Sequence, residues 1–306
     1  MTQKIISLGG KIDAPSVAHG CFRVAGMTDR AVADLLSAAI DCGVNFFDHA
    51  DIYGGGECEN VFGRAVKLAG IRRDDIIVQT KCGIGSGQYN FERDYIIKAA
   101  EGSLKRLGTD RIDIYLLHRP DALFEPEEVA EAFDALHAAG KVKYFGVSNH
   151  NPSQINLLHK YLKDRLIVNQ LQFSLVHTGL VDSGLNVNMK NAQSVDHDGG
   201  LLDYCRLENI TVQAWSPLLY GHMEGVFLDN PAFPELNEKI NELAEEKGVS
   251  ASAIAIAWIL RHPAKIQAIA GTTKPERFKQ MAKASGVELS RSQWYALYLA
   301  AGNKLP

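Results

Sequence analysis

Short apolar runs alternate with longer amphipathic ones from residue 17 almost to the end of the chain. The short runs, bounded by Gly, Asp or Asn, predict strands; those with apolar positions three and four apart predict helices. The first strand, 17–21, precedes a helix that Thr28 caps and that runs to Cys42. Ala33, Leu36, Ala39 and Ile40 share one face of it, and Gly43 ends it. The alternation then repeats: strand 44–47 and helix 58–69, strand 76–80 and helix 92–107, strand 113–117 and helix 126–139, strand 144–147 and helix 152–162. Strand 167–172 is followed by helix 200–208, strand 210–214 by helices 234–247 and 251–262, and strand 266–270 by helix 275–285. A hairpin over 5–12, with Gly9-Gly10 inside it, precedes these units, and an amphipathic helix near 290–301 follows them.

Repeated β–α units form either a closed barrel or an open doubly wound sheet. The strand runs lack clean apolar–polar alternation, as expected of strands covered on both faces. The turn after the first strand reads Gly20-Cys21-Phe22-Arg23, without the Gly-rich fingerprint of the open sheet. The pattern therefore predicts an α/β fold, a (β/α)₈ TIM barrel in one domain over 1–306, with an N-terminal hairpin and a C-terminal helix. Two long loops, 173–199 and 215–233, would lie on the carboxyl face, where barrels bind substrates.

Composition narrows the function classes. A 306-residue chain, 46% hydrophobic and 22% charged, is that of a soluble globular protein. The net charge of −4 comes without a basic run, which argues against a nucleic-acid or membrane-surface partner. Five scattered cysteines without CxxC spacing fit free thiols in a reducing compartment rather than a disulfide framework or a metal site. With no apolar leader at the N-terminus and no window long enough to span a bilayer, a cytoplasmic location is expected.

The chemistry concentrates at strand ends. Strand 44–47 leads into Asp48, strand 76–80 into Lys81 and strand 113–117 into His118, while Tyr53 follows on a loop held by Gly54-Gly55-Gly56. Each has a structural alternative: a turn cap, a solvated lysine, a satisfied histidine. In a barrel, however, three consecutive strand ends open into one bowl and bring the four side chains together. A phenol is a poor acid near neutrality, with an ordinary pKa of about 10. A neighbouring ammonium lowers it, a carboxylate holds that ammonium, and an imidazole can donate to a substrate oxygen. No strong nucleophile or metal cluster accompanies them, so the set points to proton transfer coupled to a step brought by a cofactor.

These residues, in Asn-Phe-Phe-Asp-His-Ala-Asp-Ile-Tyr-Gly and Asp-Ile-Tyr-Leu-Leu-His-Arg-Pro, resemble the catalytic tetrad of the aldo-keto reductases, over a stretch from Gly20 to Arg277. The resemblance implies NADP-dependent reduction of a small carbonyl substrate, with Tyr53 as acid and Asp48, Lys81 and His118 in support. It implies that Ser148, Asn149 and Gln170 bind the nicotinamide carboxamide, that Trp215 stacks on the ring, and that Ser216 and Leu218 reach the pyrophosphate. The segment Gly271-Thr272-Thr273-Lys274 with Arg277 resembles the 2′-phosphate site; many relatives have lysine where this chain has Gly271, which leaves Thr272, Lys274 and Arg277 for that task. Gln280 falls where relatives often have an acid facing the adenine. Potassium-channel β subunits share the fold and the cofactor, so a regulatory nucleotide-binding subunit is the competing expectation. An aldolase with Lys81 as Schiff base is a third. Substrate choice is expected from both long loops (His177, Asn188, Met189, Tyr220, His222, Met223), from Phe22, Arg23 and Tyr89, and from the tail.

Overall fold

The computed structural model describes residues 2–221 and 224–306; His222 and Met223, expected in a specificity loop, lie outside the described residues. Two short strands, β1 (Ile5–Leu8) and β2 (Ile12–Pro15), pair antiparallel, so the hairpin runs to Pro15 rather than stopping at Ile12. The barrel strands are β3 (Val17–Gly20), β4 (Phe46–Asp48), β5 (Ile77–Cys82), β6 (Ile112–Leu117), β7 (Val142–Ser148), β8 (Val168–Gln172) and β9 (Thr211–Trp215). Two further strands, β10 (Leu219–Tyr220) and β11 (Gly225–Val226), make a small hairpin on the face above, and β12 (Gln267–Ala270) completes the barrel. All eight pair parallel in the closed order β12-β3-β4-β5-β6-β7-β8-β9. The expected (β/α)₈ barrel, N-terminal hairpin and C-terminal helix (Arg291–Ala300) are all present.

The strands alternate after all. Along β5, Val78 and Cys82 pack outward in the core shared with the helices, while Ile77 points into the barrel with Phe46 and Ile114. Gln79 and Lys81 continue the inward series, since side chains two apart share a face. The alternation escapes a hydropathy pattern because both faces are buried, one apolar and one partly polar. Ile6, Leu8 and Ala14 of the hairpin pack against the inward Ala18, Phe46, Ile77 and Ile167, and Gly9 N–H donates to Thr211 Oγ1 at 3.0 Å. The amino end of the barrel is thereby stoppered, and the carboxyl end is left open.

Loop 173–199 is not structureless, because it folds a helix, Gly179–Leu185, that Tyr298 of the last helix ties down through Asp182 at 2.8 Å. Helix 152–162 stops at His159, and helix 275–285 stops at Ala282 before a 3₁₀ turn. All five cysteines are buried and free. No helix among the described residues is long and apolar enough to cross a membrane.

Candidate active site

Asp48 is the last residue of β4, and Lys81 lies inside β5 rather than beyond it. Lys81 is wholly buried, and its ammonium donates to Asp48 Oδ2 at 2.8 Å, to the His49 carbonyl at 2.7 Å and to Tyr53 Oη at 3.2 Å. All three N–H donors are therefore used. Burial disfavours its charge, but Asp48 and Tyr53 more than compensate and raise its pKa. Tyr53 opens a turn, Tyr53–Gly56, in which Gly54, Gly55 and Gly56 all have positive φ. Its ring meets His118 edge-on at 5.8 Å and Phe22 edge-on at 4.9 Å.

Lys81 was expected to lower the phenol's pKa. Its pull is downward, but withdrawal from water is the larger effect, Asp48 and Cys21 add to it, and the net shift is upward. The phenol therefore holds its proton at neutral pH. His118 follows β6, and burial, then Lys81 and Arg119, hold it well below the ordinary histidine value. It is a neutral imidazole whose buried Nδ1 has no hydrogen-bond partner among the described residues.

A cleft of about 860 Å³ opens above these residues. Asp48, Tyr53 and His118 are among the residues that line it, as are Ser148, Asn149, Gln170, Trp215, Ser216, Leu218, Gly271 and Arg277. Ser148 Oγ donates to the Gln170 carbonyl at 2.9 Å, and Asn149, at φ +60°, donates to Ser148 Oγ at 2.8 Å. Trp215 is half-buried in the cleft wall; its Nε1 donates to Asn149 Oδ1 at 3.2 Å, and the Arg119 guanidinium sits 5.7 Å from its ring centre. Gln170 turns its amide nitrogen inward to Asp48 Oδ1 at 3.0 Å. Thr272, Thr273 and Lys274 do not line the cleft: Thr272 is buried, and its hydroxyl accepts from Lys274 N at 3.2 Å, closing the turn before helix Pro275–Ala282. Glu276 pairs with Lys279 at 2.7 Å, which leaves Arg277 without an ion pair among the described residues.

Sequence reasoning passed over Gln79, which donates to Asp48 Oδ1 at 2.6 Å, and Arg119, Ser250 and Ser252, which line the cleft. A signal existed for the first: a glutamine inside the apolar run Ile-Ile-Val-Gln-Thr has no reason to be there unless it faces a polar interior.

Comparison with known proteins bears on family and fold. A model of the Aldo/keto reductase family matches residues 17–298. A 6-dehydroglucose reductase of Agrobacterium fabrum is 36% identical over 98% of this chain and 98% of that protein. Oxidoreductase YdhF of Escherichia coli is 37% identical over 90% of this chain and 89% of that protein. Among solved structures, an aldo-keto reductase from Klebsiella pneumoniae in complex with NADPH superposes with a TM-score of 0.76. It is 26% identical and covers 97% of this chain and 94% of that one.

Proposed function

The chain belongs to the aldo/keto reductase family, and from that premise we propose that it reduces aldehydes or ketones to alcohols with NADPH, Tyr53 delivering the proton. One observation carries the reading: a single buried ammonium, Lys81, bridges the Asp48 carboxylate, the His49 carbonyl and the Tyr53 hydroxyl at the floor of the cleft. The lining suits a nicotinamide dinucleotide, with amide and hydroxyl groups (Ser148, Asn149, Gln170) beside Tyr53 and, in the same cleft, the Arg277 guanidinium, which has no ion pair among the described residues. Arg277 would hold the 2′-phosphate, Ser216, Leu218 and Gly271 the pyrophosphate side, and Trp215 the nicotinamide face. Thr272 and Lys274 close the turn before the helix that carries Arg277. When bound, NADPH supplies hydride to the carbonyl carbon.

The protein's share is the proton. As negative charge grows on the carbonyl oxygen, the Tyr53 hydroxyl hands over its proton, and the phenolate left behind is met by the Lys81 ammonium. Asp48 and the His49 carbonyl keep that ammonium in place. The neutral imidazole of His118 can donate one N–H to the oxygen and fix its approach.

The test is single-turnover reduction of a reactive aldehyde by protein-bound NADPH. Tyr53→Phe keeps the ring and removes the proton, so binding of NADPH should persist while the rate falls by about 10²–10⁴. Reduction by Tyr53→Phe at the parental rate would place the acid elsewhere. NADPH bound but never oxidised across aldehydes, ketones and quinones would favour a nucleotide-binding regulatory role instead.

A further inference from the structure

Four buried glutamines on the inner wall of the barrel join into one hydrogen-bonded chain. Gln267 donates to the Pro15 carbonyl of the hairpin at 2.8 Å, and its Oε1 accepts from Gln213 at 2.7 Å. Gln213 Oε1 accepts in turn from Gln79 at 2.9 Å and from Gln170 at 3.3 Å, and both of those nitrogens also donate to Asp48 Oδ1. Register explains the assembly: Gln213 stands opposite Gln170 on one side and Gln267 on the other, and Asp48 stands opposite Gln79.

The polarity of the chain is set at both ends. A carbonyl oxygen can only accept, so Gln267 must turn its nitrogen to Pro15 and its oxygen to Gln213. Gln213 is then forced to turn its nitrogen back to Gln267 and its oxygen ahead, so Gln79 and Gln170 must meet that oxygen with their nitrogens, which they share with Asp48 Oδ1, the orientation a carboxylate requires. Reversing it would set oxygen against oxygen at both ends. As a result Asp48 Oδ1 is occupied by two amide donors, and Oδ2 is left for Lys81.

We propose that Gln79, Gln213 and Gln267 are positioning residues for the reduction: anchored on the hairpin, they fix the rotation of Asp48 and so the place of Lys81 against Tyr53. The proposal rests on reading Asp48, Lys81 and Tyr53 as the proton-delivery group. Without the amide donors, Oδ1 turns to the ammonium, and Lys81 is drawn from the phenol toward the carboxylate. Of the other titratable groups coupled to the pair, burial holds the Cys21 thiol well above its ordinary value and the His49 and His118 imidazoles well below theirs, and Asp51, raised to about 7, has already ionised where a phenol titrates. A change in the titration of Tyr53 therefore reports on Lys81.

The experiment compares the parent with Gln79→Met, Gln213→Met and Gln267→Met. Tyr53 is titrated by ultraviolet difference against a Tyr53→Phe partner of each variant, in ligand-free protein. The expected result for Gln79→Met is an upward shift of the Tyr53 midpoint by about one pH unit. The rate of aldehyde reduction should fall about 10- to 100-fold with the NADPH dissociation constant unchanged. Gln267→Met touches neither Asp48 nor Lys81 and should shift both readouts in the same direction by less, so it serves if Gln79→Met does not fold. A lower melting temperature with the Tyr53 midpoint and the rate at parental values would overturn the proposal and leave the glutamines as structural ties. A parent that reduces no carbonyl would instead sink the carbonyl-reductase reading, and the ligand-free titration would still decide whether the glutamines place Lys81.

Discussion

Lys81 and Tyr53 illustrate how burial and pairing compete at a single residue. Burial opposes the ammonium and the phenolate alike, yet Lys81 ends with a raised pKa because Asp48 lies 2.8 Å away, whereas Tyr53, with one long contact to Lys81, ends raised because water is withdrawn. The four side chains were legible because ionisable residues at the ends of apolar runs are hard to explain otherwise. The sign of the phenol's shift was not, since it depends on solvent access that a sequence does not carry. The place of Arg277 in the cleft lining was legible by resemblance, while the withdrawal of Thr272 into the turn was not, because a threonine after a strand reads the same whether it faces ligand or backbone. For Arg277→Ala, NADPH binding should weaken by about 1.5–3 kcal/mol and NADH binding hardly at all. Titrating both cofactors against parent and variant checks this, and equal weakening would remove Arg277 from the 2′-phosphate.

Among the elements, the turn that carries Tyr53 is tightly constrained. Gly54 sits at φ +58°, and a Cβ there would lie 2.6 Å from the Ala25 Cβ; Gly55 sits at φ +65° with open space around it. Gly55→Ala should therefore cost only the left-handed strain, about 1–2 kcal/mol. Gly54→Ala adds a collision that must move the turn, so it should lose more stability and also slow reduction by displacing Tyr53. Melting curves and rates of the two variants, measured side by side, make the check, and equal behaviour would show that Ala25 yields freely. The three glycines announced a non-regular turn in the sequence. Which of them is sterically pinned depends on the neighbouring loop, far away in the chain. The helix at Gly179–Leu185 was hidden for a similar reason: its sequence is short and Gly-bounded, and Asp182 gains its partner from Tyr298.

Across the whole molecule, the barrel followed from counting eight strand–helix units and from the missing Gly-rich turn; its polar interior did not, because glutamines in apolar runs carry no label of direction. The molecule also holds buried histidines that are kept neutral, His19, His49 and His150 of them packed against Phe278, Phe62 and Phe91 of the helix-side core. Burial pushes His19 and His150 down to about 4, and His49 and His118 also lie well below the ordinary value. With folded values below an unfolded value of about 6.5, the unfolded chain binds these protons first as pH falls. Their stabilisation is complete above about pH 6.5 and is lost toward pH 4, by about 3 kcal/mol for each of His19 and His150. Asp51, raised to about 7 by burial and then by Glu59, acts the other way, its contribution lost as pH rises. The histidines outnumber it, so urea unfolding should show stability falling by at least about 2 kcal/mol between pH 7 and pH 4.5. A flat or rising profile would contradict this. The glutamine contacts have one more consequence. In the ring of eight, β5 lies directly across from β9 and β4 directly across from β8, and Gln79–Gln213 and Asp48–Gln170 span those two diameters. A hoop braced along two diameters resists flattening into an ellipse at that level, whatever its rim is doing. The girth of the barrel beneath the loops is thereby held constant.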